Sequence, residues 1–140
     1  MGAAIDRKGN AELALFDHVR IKVRDLQRCR AFYTAVMGSL GYGVVLEADS
    51  AIGFGENSHD MFEISETAVT AAISTATHIA FNANSEDAVR LFHAVALEHG
   101  ATDNGAPGLR RQYGEGYFAA FVIDLNGHNL EAVFSGQRST

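Results

Sequence analysis

The sequence predicts an α+β fold made of two tandem βαβββ modules, and three internal correspondences carry that prediction. The halves open alike, with FDHVRIKV at 16–23 and ATHIAFNA at 76–83, so His18 and His78 stand 60 residues apart. At the same offset of 60, Phe32 in RAFYTAV falls on Phe92 in RLFHAVA, which places a helix after the strand in both halves. Each half then closes on a short strand with a central acid, MFEIS at 61–65 and NLEAVF at 129–134. Glu63 and Glu131 are 68 apart, so the second half carries the longer loop. One copy is too small to bury a sheet face alone, but it can do so against its twin. The expected organisation is a mobile tail over residues 1–14 and a single domain over 15–140, with modules at about 15–70 and 76–135.

The elements follow in order. Val19, Ile21 and Val23 alternate with His18, Arg20 and Lys22, the period-two pattern of a strand with one core face and one polar face. Over 25–40, Leu26, Phe32, Val36 and Leu40 recur near helical spacing behind Asp25 as cap, and Gly41 supplies a stop. Short strand-like runs come next, GVVLEA at 43–48 and IGFG at 52–55. In the second half Ser85 caps a helix over 85–99 whose stripe is Val89, Phe92, Val95 and Ala96, with Gly100 after it and His99 complementing its C-terminus. The counterpart of the first return strand is obscured by ATDNGAPGLRRQYGEG at 101–116, a turn-rich stretch holding the only proline. YFAAFVID at 117–124 and NLEAVF are joined across Asn126-Gly127, a strong hairpin signal.

Composition excludes several functions. The chain has 140 residues, 47% of them hydrophobic and 20% charged, which suits one ordinary globular domain and disfavours extended disorder. A net charge of −6, shared by the two halves, offers no basic face for nucleic acid or for an acidic membrane. The one cysteine, Cys29, excludes an intrachain disulfide and any CxxC motif, and reads as a small buried residue. No run reaches the roughly 18 to 20 apolar residues that a spanning helix needs, and the first residues lack the order of a secretory signal, so the expected location is cytoplasmic.

Strand parity points to the chemistry. His18 opposes Val19, Ile21 and Val23; His78 opposes Ile79 and Phe81; Glu63 opposes Phe62 and Ile64; Glu131 opposes Leu130, Ala132 and Phe134. All four point off the helix-packed face, and a pseudo-twofold between the modules brings them toward one point. Two carboxylates and two imidazoles there need compensation, which a divalent metal supplies. Two nitrogens and two oxygens suit Ni, Co, Mn, Fe or Zn better than the oxygen-only sites of Ca or Mg. Taken singly, each of these residues reads as an ordinary surface group. His59, just before the Glu63 strand, is the rival ligand for another strand register, whereas His128 in the hairpin and His93 on a helix read as surface residues.

On DHVRIKVRDLQRCRAFYTAVMGSLGY, HIAFNANSEDAVRLFHAVALEHGA and YFAAFVIDLNGHNLEAVF, the chain resembles the vicinal oxygen chelate superfamily, the group of glyoxalase I, bleomycin-resistance proteins and extradiol dioxygenases, over Phe16 to Phe134. The resemblance implies paired modules forming a U-shaped mixed sheet around a cleft with one divalent metal ion per site, in a homodimer. It carries the ligand roles onto His18, Glu63, His78 and Glu131. An acid at 63 favours the four-ligand, glyoxalase I-like kind, a lyase or isomerase of a small carbonyl or hemithioacetal substrate. There Glu131 or Glu63 would be the catalytic base, and the two remain unordered. Dioxygenase-like members need only the two His and one Glu, and drug-sequestering members bind an apolar ligand without catalysis.

Two departures bear on the substrate. Glyoxalase I-like sequences place an Arg four residues after the first ligand to hold a glutathione carboxylate, where this chain has Lys22, which cannot form the bidentate fork. Where relatives read DPDG, this chain reads Asp124-Leu125-Asn126-Gly127, a turn variation. The candidate substrate contacts are Arg20 and Lys22 on the His18 face, with Arg110, Arg111 and Tyr113 in a Gly-flanked loop placed to serve as a lid.

Overall fold

A computed structural model describes residues 15–68, 71–74 and 76–136. The tail expected at 1–14 lies outside the described residues. The chain folds as two four-stranded mixed sheets, each with one helix. The first module contains β1 (His18–Val23), α1 (Leu26–Ser39), β2 (Gly43–Ala48), β3 (Ala51–Asn57) and β4 (Asp60–Glu66). The second contains β5 (His78–Asn82), α2 (Glu86–Glu98), β6 (Thr102–Leu109), a 3-10 turn (Arg111–Tyr113), β7 (Phe118–Ile123) and β8 (Asn129–Phe134). The strand orders β1-β4-β3-β2 and β5-β8-β7-β6 are the same topology written twice, with the first and last strands of each module parallel and the rest antiparallel. Hydrogen bonding closes two sheets rather than one continuous sheet, with β1 and β5 each at an edge.

The helices form where the apolar stripe and the caps agree. Ser85 accepts from Ala88 N at 3.0 Å, and Glu86 and Asp87 complement the positive end of α2. Asp25 caps α1 by accepting from Arg28 N at 3.2 Å, and it does so from a left-handed backbone with φ of 55°. Among non-glycine residues Asp is one of the few that tolerates this conformation. Phe32, Tyr33, Val36 and Met37 of α1 and Val89, Phe92 and Ala96 of α2 join Ile21, Ile64, Phe81 and Leu130 of the sheets in one core, and the two helices pack on each other.

The return strand that turn residues obscure at 101–116 is present as β6, with Pro107 inside it. One expectation needs correction. His128, read as a surface residue, is 1% exposed, and its Nε2 lies 2.9 Å from the Lys22 carbonyl. The hairpin that carries it is tucked under α1 instead of standing in solvent, because Asp124 accepts the Tyr33 hydroxyl and Asn126 Nδ2 donates to Cys29 Sγ at 3.2 Å. Cys29 is buried as expected, and burial pushes its thiol up to about 11. No helix among the described residues is long and apolar enough to cross a membrane.

Candidate active site

Sheet register decides which side chains share a face. In the first module Arg20 stands opposite Glu63 and Lys22 opposite Ser65; in the second, Ala80 stands opposite Glu131 and His78 opposite Asn129. The modules are therefore equivalent at His18 and His78, at Arg20 and Ala80, and at Glu63 and Glu131. Val19, Ile21 and Val23 turn toward the helices, so His18, Arg20, Lys22, His78 and both acids lie on the opposite face. A cleft of about 490 Å³ runs between β1 and β5, lined by Arg20, Lys22, Thr77, His78 and His128 among others.

The two acids are buried and occupied differently. Glu63 is 2% exposed, and Arg20 Nε donates to its Oε1 at 2.5 Å. Glu131 is 3% exposed; its Oε1 lies 3.0 Å from His78 Nε2, and its Oε2 accepts the Tyr117 hydroxyl. A carboxylate only accepts, so His78 donates from Nε2 in this pair. The His78 ring stacks on Phe121 with centroids 6.1 Å apart, which fixes its plane. Partial burial, then the hydrogen bond to Glu131 and its charge, push the Tyr117 phenol up to about 12. It therefore stays a neutral donor at any ordinary pH.

The structure does not bring the four predicted ligands together. His78 and Glu131 touch, Glu63 is held by Arg20, and His18 Nδ1 turns to Asp17 Oδ1 at 2.8 Å. His59, the rival ligand, meets the other oxygen of the same Asp17 at 3.0 Å. The hydrogen bond to His18, then that to His59, hold the Asp17 carboxyl below its usual range. Among the described residues no three His, Cys, Asp or Glu side chains are grouped so that they could hold an ion. The donor set thus does not fit the four-ligand ion that the resemblance implies, since a guanidinium sits on one acid and a neighbouring carboxylate takes one imidazole. His78 and Glu131 alone are one short of the three protein donors usual at a catalytic zinc.

The loop expected to form a lid is the 3-10 turn and its flanks. Arg110 folds back over the Phe121 ring, 5.6 Å from its centroid, and donates to the Ala106 carbonyl at 2.6 Å. Gly105 and Gly108 leave it room: a Cβ at Gly105 would lie 3.3 Å from one Arg110 amino group, and one at Gly108 would lie 3.0 Å from the other. Arg111 is exposed, and Tyr113 is 61% exposed with its ring 5.5 Å from Tyr117. Sequence reasoning missed Tyr117. Counting outward from the Asn126-Gly127 turn, with Phe121 opposite Glu131, puts Tyr117 on the face of Glu131. It also missed that Arg20 holds Glu63, because nothing local sets the register of the parallel pair β1 and β4.

A model of the Glyoxalase/Bleomycin resistance protein/Dioxygenase superfamily matches residues 15–132. A glyoxalase/bleomycin resistance protein from Albidiferax ferrireducens superposes with a TM-score of 0.76 at 26% identity, covering 86% of this chain and 98% of the other. A glyoxalase/bleomycin resistance protein/dioxygenase family enzyme from Burkholderia phytofirmans gives 0.64 at 18% identity, covering 84% and 95%. The V278E mutant of glyoxalase I from Zea mays gives 0.67 at 19% identity, covering 84% of this chain and 45% of that longer one. These last two likenesses are of fold alone. No curated protein matches the chain.

Proposed function

The chain belongs to the glyoxalase/bleomycin resistance protein/dioxygenase superfamily, and from that premise we propose that it is a lyase or isomerase that moves a proton between adjacent carbons of a small carbonyl or hemithioacetal substrate. The observation that carries the reading is Glu131, a buried carboxylate with one oxygen held by His78 and the other by Tyr117 on the sheet face turned away from the helices. Each oxygen keeps a second lone-pair direction, so the carboxylate is both oriented and able to accept a proton. Glu131 takes the proton from the carbon beside the carbonyl and returns it to the neighbouring carbon, where the enediolate collapses. His78 and Tyr117 hold the carboxylate in place and stabilise its charged form between turnovers. Glu63 is unsuited to the same task, because its charge is committed to Arg20. Lys22 and the loop of Arg110, Arg111 and Tyr113 complete the substrate contacts in this reading, and the assembly is a homodimer.

Exchange with solvent tests this directly. Incubated in D₂O with a panel of hemithioacetals and 2-hydroxy carbonyl compounds, the protein exchanges the proton beside the carbonyl of at least one member. Glu131→Gln lowers that rate by about 10²-fold or more, with an unchanged fold. Exchange that survives the substitution removes Glu131 as the base.

A second reading is favoured by a specific feature. A cavity of about 260 Å³ lies between the modules, with Met37, Phe54, Ile79 and Phe81 on its apolar side and Glu56, Asp60 and Asn82 also lining it. It suits a non-catalytic binder of a small apolar ligand. No exchange on any panel member, together with uptake of apolar dyes, makes the binder the better reading. The dioxygenase alternative needs His18 beside His78 and Glu131, and His18 is turned to Asp17.

A further inference from the structure

The two modules are the same topology with one chemical difference at the acid. Opposite Glu131 stands Ala80, which brings no charge, and the carboxylate is left to His78 and Tyr117. Opposite Glu63 stands Arg20, which binds it through Nε, and the His18 of that module is directed elsewhere. A carboxylate that is 2% exposed needs compensation, from a metal ion, a fixed cation or hydrogen-bond donors. Arg20 already supplies it.

The geometry also leaves part of Arg20 unused. Its side chain is 48% exposed, and beyond Nε it has two terminal amino groups that donate to no described residue. Lys22, two residues along the same face, makes no ion pair among the described residues. Both residues line the cleft between β1 and β5 with His78. Glu63 is neutralised by Arg20 and Glu131 is held by His78 and Tyr117, so the free terminal amino groups of Arg20, in a plane that matches a carboxylate, and the Lys22 ammonium are the donors left facing the cleft.

Resting on the proton-transfer reading for which cleft is meant, we propose that Arg20 is its specificity-determining residue. Locked on Glu63, it reserves the first module's half of the site for a carboxylate of the substrate and withholds Glu63 from a divalent ion. The substrate class is then a small carbonyl compound bearing a carboxylate, with Arg20 and Lys22 on the acid group and Glu131 at the carbon beside the carbonyl.

Two titrations of the full chain test this, one with malonate followed by NMR shifts and one with Co²⁺ followed by calorimetry and by elemental analysis after dialysis. Wild type binds malonate, and Arg20→Ala weakens that binding about tenfold or more. Wild type retains no stoichiometric Co²⁺. Arg20→Ala retains one ion per chain, and Arg20→Ala combined with Glu63→Gln retains none. Malonate binding that is equal in wild type and Arg20→Ala overturns the proposal. So does Co²⁺ held by wild type and released by Glu63→Gln, since the ion would then displace the guanidinium. If Arg20→Ala alone does not fold, the double variant leaves no unpaired charge at position 63 and serves for malonate, while wild type against Glu63→Gln serves for Co²⁺. Glu131→Gln separates the two readings, because it removes the base while the dependence of malonate binding on Arg20 can still be read in its background. If that variant still exchanges the substrate proton while malonate binding still depends on Arg20, the proton-transfer reading falls and the role of Arg20 stands. The converse pattern removes only the role of Arg20.

Discussion

At the scale of single residues, the site depends on what each buried acid touches. Tyr117 is the clearest case, since its hydroxyl donates to Glu131 and its ionisation is pushed up to about 12 by partial burial, by that bond and by the charge of Glu131. A phenol whose folded value is raised stabilises the fold below the ordinary tyrosine range, and that contribution is lost as pH rises through about 12. Tyr117→Phe therefore removes one tyrosine's worth of amplitude near 12 from the absorbance titration, the buried Tyr33 remaining as a late-titrating phenol. It lowers stability at neutral pH by about 1 kcal/mol, read from urea unfolding, and it slows Glu131-dependent exchange without abolishing it. A late amplitude that is the same in wild type and variant would show that Tyr117 is not held by Glu131. His18, Glu63, His78 and Glu131 were legible as residues on the polar face because strand parity is a property of sequence alone. Their partners were not, because Arg20 on Glu63 and Asp17 on His18 follow from pairing register and rotamer choice, which no spacing encodes.

At the scale of elements, both helices, their Asp25 and Ser85 caps and seven of the eight strands were legible, because apolar period and cap chemistry agree at each of them. The exception, β6, shows why agreement matters. TDNGAPGL has no alternation, two glycines and a proline, and it pairs with β7 alone through a register that shifts twice. Proline and glycine survive there because an edge strand need not donate on its outer side. The same glycines serve the site. Gly105, at φ 153°, lies against the Phe121 ring, where an added Cβ would stand 3.0 Å from the nearest ring carbon and 3.3 Å from Arg110. Gly105→Ala is thus both strained and crowded, and it destabilises the fold by about 1–3 kcal/mol. It also moves the Arg110 guanidinium off Phe121, which NMR ring-current shifts on the arginine side chain report. Unchanged shifts and stability would mean that β6 yields without disturbing the loop.

At the scale of the whole molecule, the question is what makes two modules one cooperative unit. No strand of one sheet is paired with the other sheet, so the union rests on the shared core beneath α1 and α2, on the Tyr42 hydroxyl donating to the Asn82 carbonyl at 3.1 Å, and on a polar clasp at the second hairpin. Asp124 is the centre of that clasp. It is 6% exposed and accepts the Tyr33 hydroxyl from α1, and its Oδ1 accepts Asn126 N and His128 N, each at 2.8 Å. Asn126 Oδ1 in turn accepts Arg24 N from the first module at 3.0 Å, and the His128 ring reaches the Lys22 carbonyl. Asp124→Ala strands a buried hydroxyl and two backbone N–H groups at once, so a loss of about 2–5 kcal/mol follows from the desolvation of unpaired donors. The form of the loss is as informative as its size. Phe32 and Tyr33 of one module and Val89 and Phe92 of the other belong to a single core, so neither module can keep its apolar face buried once the other opens. Urea unfolding of wild type and of Asp124→Ala should then each follow one transition, identical by far-ultraviolet dichroism and by tyrosine fluorescence, with the variant shifted to lower denaturant at unchanged slope. Two transitions in the variant would mean that each module holds a core of its own and that polar contacts, the clasp chief among them, join the two.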